Sequence, residues 1–71
     1  MIHKFALKED YIELSKILKL LRIAETGGHA KILIEQGKVM RNGIQEFRKR
    51  AKLVAGDKIE IMGETILIVN N

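Results

Sequence analysis

The sequence contains no cysteine, no proline and no tryptophan among its 71 residues, and only 4% of it is aromatic. Without cysteine the chain can form neither disulfides nor thiolate metal sites, and two isolated histidines, His3 and His29, are too few for a four-ligand zinc site. No metal or cofactor is therefore expected. A chain of this length forms a single domain, here residues 1–71, and 46% hydrophobic residues are too many for disorder. Ile, Leu and Val must supply the core.

Long apolar runs and catalytic groupings are missing as well. No run approaches the roughly 20 residues that span a bilayer, and residues 1–7 lack the apolar stretch of a signal peptide. We therefore expect a cytoplasmic protein with no membrane partner. The sequence offers no cysteine nucleophile, no convincing carboxylate pair and no Ser, His and acid grouping. The chain is predicted not to be an enzyme.

Positive charge exceeds negative charge mainly in one part of the sequence. Thirteen Lys and Arg against nine Asp and Glu give a formal net charge of +4. Residues 1–37 carry +1, residues 38–58 carry +5 and residues 59–71 carry −2. Clustered charge of this kind suits a polyanion, and nucleic acid is the commonest one in cells. A solvated surface loop would give the same count, so charge alone leaves both interpretations open.

A first helix is predicted over about residues 11–24. Its start falls anywhere from residue 11 to residue 15, because Asp10 with Glu13 could form a capping box while Ser15 could also begin the helix. The evidence for the helix is a set of apolar residues at three- and four-residue steps, which share one helical face: Leu14, Ile17, Leu18 and Leu21.

A second helix is predicted over about residues 27–36. Thr26 is a good N-cap, because its hydroxyl can accept a hydrogen bond from a free backbone N–H. Gly37 can adopt the left-handed conformation that closes a helix. Only two or three residues then separate the helices, which predicts a tight helix-turn-helix corner.

The residues beyond Gly37 change to the pattern of strands. Asn42-Gly43 predicts a hairpin, since both residues tolerate the positive φ angles of a type I′ turn, and its tip is expected to present Arg41 and Asn42. Further strands are predicted at residues 2–7, on an edge, and at residues 58–61 and 65–69. The predicted fold is α+β, with the helix-turn-helix corner packed on a small, mostly antiparallel sheet.

Several residues are candidates for binding an anion. The Thr26-Gly27-Gly28 turn opens the second helix with free N–H groups at the positive end of the helix dipole, although a plain cap and turn explains it equally well. His29 could donate to a phosphate, stack on a base or have no role. Arginine binds phosphate bidentately and stacks on bases, which suits structured RNA. The candidate cations are Lys31, Arg41, Arg48, Lys49, Arg50 and Lys52.

A series of motifs resembles a known family over roughly residues 12–62. The motifs are Leu14-Ser15-Lys16-Ile17-Leu18, Thr26-Gly27-Gly28-His29-Ala30-Lys31, Ile34-Glu35-Gln36-Gly37-Lys38-Val39, Asn42-Gly43 and Gly56-Asp57-Lys58-Ile59-Glu60. They resemble the RNA-binding domain named after ribosomal protein four of the small subunit, also called the alpha-L motif. Thr26-Gly27-Gly28 and Arg48-Lys49-Arg50 look most like its small stand-alone bacterial members, of the YbcJ and YaaA type.

The resemblance implies a module that binds structured RNA, often ribosomal or transfer RNA. It makes the ribosomal subunit, or one of its assembly intermediates, a candidate partner of a protein expected to be a monomer. Many members have Ser or Arg where this chain has Gly27, Gly28 and His29, so the second helix offers fewer cations here. Carried over by position, the RNA-binding face includes Gly27, Gly28, His29, Lys31, Lys38, Arg41 and Asn42, flanked by residues 48–52.

We therefore hypothesise a noncatalytic RNA-binding domain whose Lys and Arg side chains contact phosphates, with the Thr26 turn positioning one of them. A DNA-binding helix-turn-helix protein is one alternative, although its recognition helix would open with two glycines instead of base-reading side chains. A protein-interaction module for an acidic partner is another. The hypothesis requires the mid-chain cations to converge in space with the start of the second helix.

Overall fold

Strands flank a central pair of helices in this chain. A computed structural model describes residues 1–71. Its helices are α1 (Leu14–Leu20) and α2 (Gly27–Glu35), and neither is long and apolar enough to cross a membrane. The strands are β1 (Ile2–Leu7), β2 (Ile12–Glu13), β3 (Val39–Arg41), β4 (Ile44–Gln45), β5 (Lys52–Leu53), β6 (Lys58–Ile61) and β7 (Glu64–Asn70).

Helix α1 begins within the predicted range of residues 11 to 15 but ends four residues earlier than predicted. It cannot begin before residue 14, because Ile12 and Glu13 are extended and pair with β5, and the predicted capping box is absent. It ends because Arg22 takes a φ of 59°, and the Arg22 N–H then donates to the Lys19 carbonyl in a Schellman-type closure. The connection between the helices is therefore six residues long, 21–26, and the expected two or three is wrong.

Helix α2 lies where its capping residues predict, one residue shorter at its C-terminal end. The Thr26 hydroxyl accepts a hydrogen bond from the His29 N–H at 3.0 Å. Gly37 takes a φ of 77°, which lets its own N–H reach the Ile34 carbonyl and the Lys38 N–H reach the Leu33 carbonyl. Both ends of α2 thus follow from local chemistry.

The main sheet has five strands in the order β1-β7-β6-β3-β4. Strand β1 is an edge strand, as predicted, and runs parallel to β7, whereas all other pairs are antiparallel. Asn42 and Gly43 have φ angles of 52° and 83°, as the predicted type I′ turn requires. A separate ribbon formed by β2 and β5 was not predicted. Its two-residue strands lie about forty positions apart in the sequence, where no local pattern reveals the pairing.

The core is aliphatic and lies between the two helices and one face of the main sheet. Its 16 buried hydrophobic residues form one cluster, with no aromatic member. The sheet contributes Val39, Ile59, Ile61, Ile66 and Ile68, and the helices contribute Leu14, Ile17, Leu18, Ala30, Leu33 and Ile34. The predicted α+β class, with a two-helix corner on a mostly antiparallel sheet, is confirmed.

Candidate nucleic-acid interface

The start of helix α2 leaves backbone donors free. The amides of Gly27 and Gly28 lie in the first turn, where no partner exists within the helix. An added Cβ would meet nothing within 4 Å at Gly27 and only the Thr26 hydroxyl, 3.8 Å away, at Gly28. Packing therefore does not demand glycine at either position, although glycine costs a helix about 1 kcal/mol relative to alanine. Because glycine has no side chain, a ligand can reach the backbone N–H groups of Gly27 and Gly28 without obstruction.

The basic loop, residues 48–52, is tied to the start of helix α1. The Leu14 N–H donates to the Ala51 carbonyl and the Ser15 N–H donates to the Lys49 carbonyl, both at 3.0 Å. These carbonyls satisfy amides that α1 leaves free, since its N-cap residue makes no side-chain cap. The loop backbone is thereby held against α1, while the side chains of Lys49 and Arg50 stay exposed.

Two adjoining grooves bring the basic loop and helix α2 together. The helix-start groove, of about 310 Å³, is lined by Glu13, Ser15, Gly27, Gly28, Lys31, Lys49 and Arg50. The loop groove, of about 630 Å³, is lined by Arg41, Arg48, Lys49, Arg50, Ala51 and Lys52. Lys49 and Arg50 line both. The mid-chain cations thus meet the start of α2 on one surface, with six cations and a single carboxylate along the two grooves.

The hairpin tip presents Asn42, which is exposed, but Arg41 is mostly enclosed, so the expectation is wrong for Arg41; the side chains of both residues are held by Asp57. The Arg41 Nη2 donates to Asp57 Oδ2 and to the Lys52 carbonyl, each at 2.8 Å. The Asn42 Nδ2 donates to Asp57 Oδ1 at 2.9 Å, and its Oδ1 accepts from the Lys58 N–H. Only 22% of the Arg41 side chain is exposed. Both residues hold the hairpin to the turn before β6.

Asp57 receives these contacts as a carboxylate. Its Oδ2 also accepts a hydrogen bond from the Val54 N–H at 2.9 Å. Burial alone would raise the pKa of Asp57, but the hydrogen bonds from Val54, Asn42 and Arg41, with the positive charge of Arg41, hold it below its usual value. Asp57 therefore stays charged at neutral pH and holds Arg41, which lines the loop groove, in place.

Arg48 is exposed but already paired. Its Nε and Nη2 each donate to one oxygen of Glu46 at 3.1 Å, a bidentate contact. The hydrogen bond from Arg48 outweighs burial and lowers the pKa of Glu46, while Glu46 raises the pKa of Arg48. Glu46 also lies 3.5 Å from Arg41 Nη1. The charge of Arg48 is thus partly compensated within the molecule.

The other predicted site residues divide into two groups. Lys31, Lys49, Arg50 and Lys52 line the grooves and make no ion pair. Lys38, beyond the far end of α2, lines neither groove, and His29 accepts a hydrogen bond from the Glu25 N–H through Nδ1, as part of the helix cap.

Sequence reasoning missed Ser15 and Glu13, which line the helix-start groove. The sequence predicts a place for Ser15 at the start of the first helix and within a family motif, but no role in binding. Its position in the groove follows from the hydrogen bond between its N–H and the Lys49 carbonyl, which joins residues far apart in the sequence. No local signal predicts such a contact.

The grooves offer hydrogen-bond donors and positive charge. They combine exposed ammonium and guanidinium groups with the two free amides of α2, which are the donors that phosphate oxygens accept. No three His, Cys, Asp or Glu side chains are grouped closely enough to hold a metal ion.

Known proteins resemble this chain along most of its length. The S4 domain family model matches residues 5–69, a longer span than the predicted 12–62. “Putative RNA-binding protein YbcJ” of Escherichia coli (strain K12) is 40% identical over 62 residues, covering 87% of this chain and 89% of the relative. “Probable ribosome maturation protein RlbA” of Bacillus subtilis (strain 168) is 32% identical over 63 residues, covering 89% of each. Neither name is that of an enzyme, in agreement with the prediction.

A solved structure shares the fold. The solution structure of Escherichia coli YbcJ, described as revealing an alpha-L motif involved in RNA binding, matches with a TM-score of 0.71 and 40% sequence identity. The match covers 93% of this chain and 85% of YbcJ. The predicted likeness to a stand-alone protein of the YbcJ type is thus confirmed. On the family model, the relatives and the shared architecture together, this chain belongs to the S4 domain family.

Proposed function

We propose that this protein binds structured RNA, without catalysis, on the surface formed by the helix-start groove and the loop groove. The observation that carries the proposal is that Lys49 and Arg50 line both grooves and so join the free amides of α2 to the cations of the basic loop. A continuous row of such donors can follow a phosphate backbone.

The names of the relatives support RNA as the polyanion. YbcJ is named as an RNA-binding protein and RlbA as a ribosome maturation protein. We therefore propose ribosomal RNA, in the cytoplasm, as the first target to test, with transfer RNA as the second. The six-residue connection between the helices and the two glycines that open α2 do not favour a DNA-reading helix-turn-helix.

Four side chains are proposed as the main phosphate contacts: Lys31, Lys49, Arg50 and Lys52. The amides of Gly27 and Gly28 add donors for one further phosphate. The sequence predicted Arg41 and Asn42 as RNA contacts. In this proposal they stabilise the loop groove instead, because the side chains of both are hydrogen-bonded to Asp57.

A pair of charge reversals tests the proposal. Lys49→Glu/Arg50→Glu should weaken binding of a folded ribosomal RNA fragment by roughly tenfold or more at 0.1 M salt, because two phosphate contacts become repulsive. Lys4→Glu/Lys19→Glu is the matched control, since both lysines are exposed, unpaired and outside the grooves. Fluorescence anisotropy gives the affinities, and circular dichroism checks that each variant folds.

Three results would contradict the proposal. Equal binding by the two folded variants would remove the grooves as the RNA site. Competition by duplex DNA as strong as that by RNA of equal length would favour the DNA-binding alternative. Absence of salt-dependent affinity for any RNA would favour an acidic protein partner.

A further inference from the structure

The outward face of the β2–β5 ribbon carries a set of side chains that the fold does not use. Ile12 and Leu53, which pair across the ribbon, are buried, so their neighbours Tyr11, Glu13 and Lys52 lie on the opposite face. The Lys52 Nζ lies 5.0 Å from the centre of the Tyr11 ring, a cation–π contact. An aromatic ring, a half-buried carboxylate and an ammonium group thus lie on one face of the ribbon.

Tyr11 and Glu13 line a partly apolar cleft, whose other charged lining residues are Lys8, Glu9 and Lys16. The cleft has a volume of about 420 Å³, within the range of about 300–1,000 Å³ typical of small-molecule sites. Its apolar walls include Phe5, Leu7, Tyr11, Ile12 and Leu20. The cleft adjoins both grooves, because Glu13 also lines the helix-start groove and the Lys52 that contacts Tyr11 lines the loop groove.

Glu13 is the only carboxylate that lines either groove. Its side chain is half-buried, forms no ion pair, accepts no hydrogen bond and does not cap helix α1, although it is the N-cap residue. Glu13 also forms no ion pair with its cross-strand partner Lys52, which contacts the Tyr11 ring instead. Next to phosphates a free carboxylate is repulsive. What it can bind is a pair of hydrogen-bond donors.

We propose that this cleft holds an unpaired guanine base of the RNA bound in the grooves. This inference rests on the proposed function. Guanine carries two adjacent donors on its Watson–Crick edge, N1–H and the 2-amino group, which match the two oxygens of the Glu13 carboxylate. The Tyr11 ring offers a stacking partner, and Lys52 and Lys49 lie where the flanking phosphates would pass.

Other bases fit this set less well. Adenine presents an acceptor, N1, where guanine presents N1–H, and would place its lone pair against the carboxylate. Cytosine and uracil each present a single donor on that edge and have smaller rings to stack. In this proposal the hydrogen bonds to Glu13 give the preference for guanine. Stacking on Tyr11 adds affinity for any base.

Four RNA hairpins of one stem sequence test the inference. One is fully paired, and the others carry a single bulged guanosine, inosine or adenosine. We expect the guanosine bulge to bind wild-type protein roughly tenfold more tightly than the adenosine bulge, with inosine, which lacks the 2-amino group, between them. Glu13→Gln should bring the guanosine and adenosine bulges within about twofold of each other. The paired hairpin should bind this variant at least as tightly as wild-type protein, because the change also removes a negative charge from the helix-start groove.

Two further variants separate the cleft from the grooves. Tyr11→Ala should weaken binding of every bulged hairpin by roughly tenfold and leave the paired hairpin nearly unchanged, since one stacked base is lost. Glu35→Gln removes an exposed carboxylate at the end of α2, outside the cleft and both grooves, and should retain the guanosine preference.

The outcomes distinguish this inference from the function on which it rests. Equal affinity for all four hairpins, still reduced by Lys49→Glu/Arg50→Glu, would overturn the guanine site and leave RNA binding intact. A guanosine preference that survives Glu13→Gln would also overturn it. Displacement of the bulged hairpin by guanosine 5′-monophosphate at the affinity of the hairpin would assign the cleft to a free nucleotide. Failure of wild-type protein to bind any hairpin would remove both proposals.

Discussion

The salt dependence of RNA binding follows from how many groove cations are free. Of the six that line the grooves, Arg41 and Arg48 are held by carboxylates, which leaves Lys31, Lys49, Arg50 and Lys52. Each neutralised phosphate adds about 0.7–0.9 to the slope of log affinity against log salt, so four predict a slope of about −2.8 to −3.6. Raising the salt from about 50 to about 200 mM should therefore weaken binding roughly 50- to 150-fold.

Removing two of these charges should halve the slope. Lys49→Gln/Arg50→Gln leaves two free cations, which predicts a slope of about −1.4 to −1.8 and a loss of only about 7- to 12-fold over the same salt range. Lys4→Gln/Lys19→Gln changes the net charge equally but lies outside the grooves, so its slope should equal that of wild-type protein. Neutral replacements are used here because they remove contacts without adding repulsion.

Fluorescence anisotropy titrations of one labelled ribosomal RNA fragment at three salt concentrations measure these slopes. An unchanged slope for Lys49→Gln/Arg50→Gln would refute the assignment of phosphate contacts to these residues. A wild-type slope of about −4.2 to −5.4 would mean that all six cations contact phosphate. In that case Arg41 and Arg48 would have to leave Asp57 and Glu46 on binding, against the reasoning from their ion pairs.

Three further predictions concern stability. Asp57→Asn should lower the free energy of unfolding by about 3 kcal/mol in chemical denaturation. All three partners of the carboxylate are hydrogen-bond donors, and the NH₂ group of asparagine would face one of them. A loss as small as that caused by Asp10→Asn, at an exposed carboxylate, would contradict this prediction. The pKa values of Asp57 and Glu46 are lowered in the folded state, so both carboxylates stabilise the fold above about pH 4.5. This stabilisation is lost as the pH falls through the folded-state pKa values. The free energy of unfolding should therefore decline from pH 6 to pH 2, and it should decline less steeply in Asp57→Asn. Gly37→Ala should cost about 1–2 kcal/mol, since φ is 77° and the new Cβ would lie 3.1 Å from the Gln45 side chain; an unchanged denaturation midpoint would refute the strain.

Local chemistry predicted those elements whose ends are set by neighbouring residues. Helix α2 begins at Thr26 and closes at Gly37 because a hydroxyl and a glycine act within one turn of the chain. The hairpin forms at Asn42-Gly43 for the same reason, since both residues adopt the positive φ that its turn needs. The charge count likewise indicated three of the four free groove cations, Lys49, Arg50 and Lys52, but not Lys31, and the motifs indicated the family.

The sequence was a poorer guide where distant residues compete for the same backbone or side chain. The start of helix α1, which the sequence leaves open from residue 11 to residue 15, is set at Leu14 by a ribbon whose other strand lies about forty residues away. Arg41 and Asn42 are residue types that often contact nucleic acids, yet both side chains donate hydrogen bonds to Asp57. Glu13 was predicted only as part of a possible capping box, whereas in the structure it lies between a cleft and a groove.

The amino-acid sequence by itself thus determined the second helix, the hairpin turn, the aliphatic core and the presence of a basic segment. Only the tertiary structure decided which cations of that segment are free, because carboxylates from the turn before β6 and from the β4–β5 connection neutralise some of them. It also decided that the free cations meet the start of α2, because the carbonyls of Lys49 and Ala51 cap helix α1. Charge can be counted along a chain, but a binding surface depends on hydrogen bonds between residues that only folding brings together.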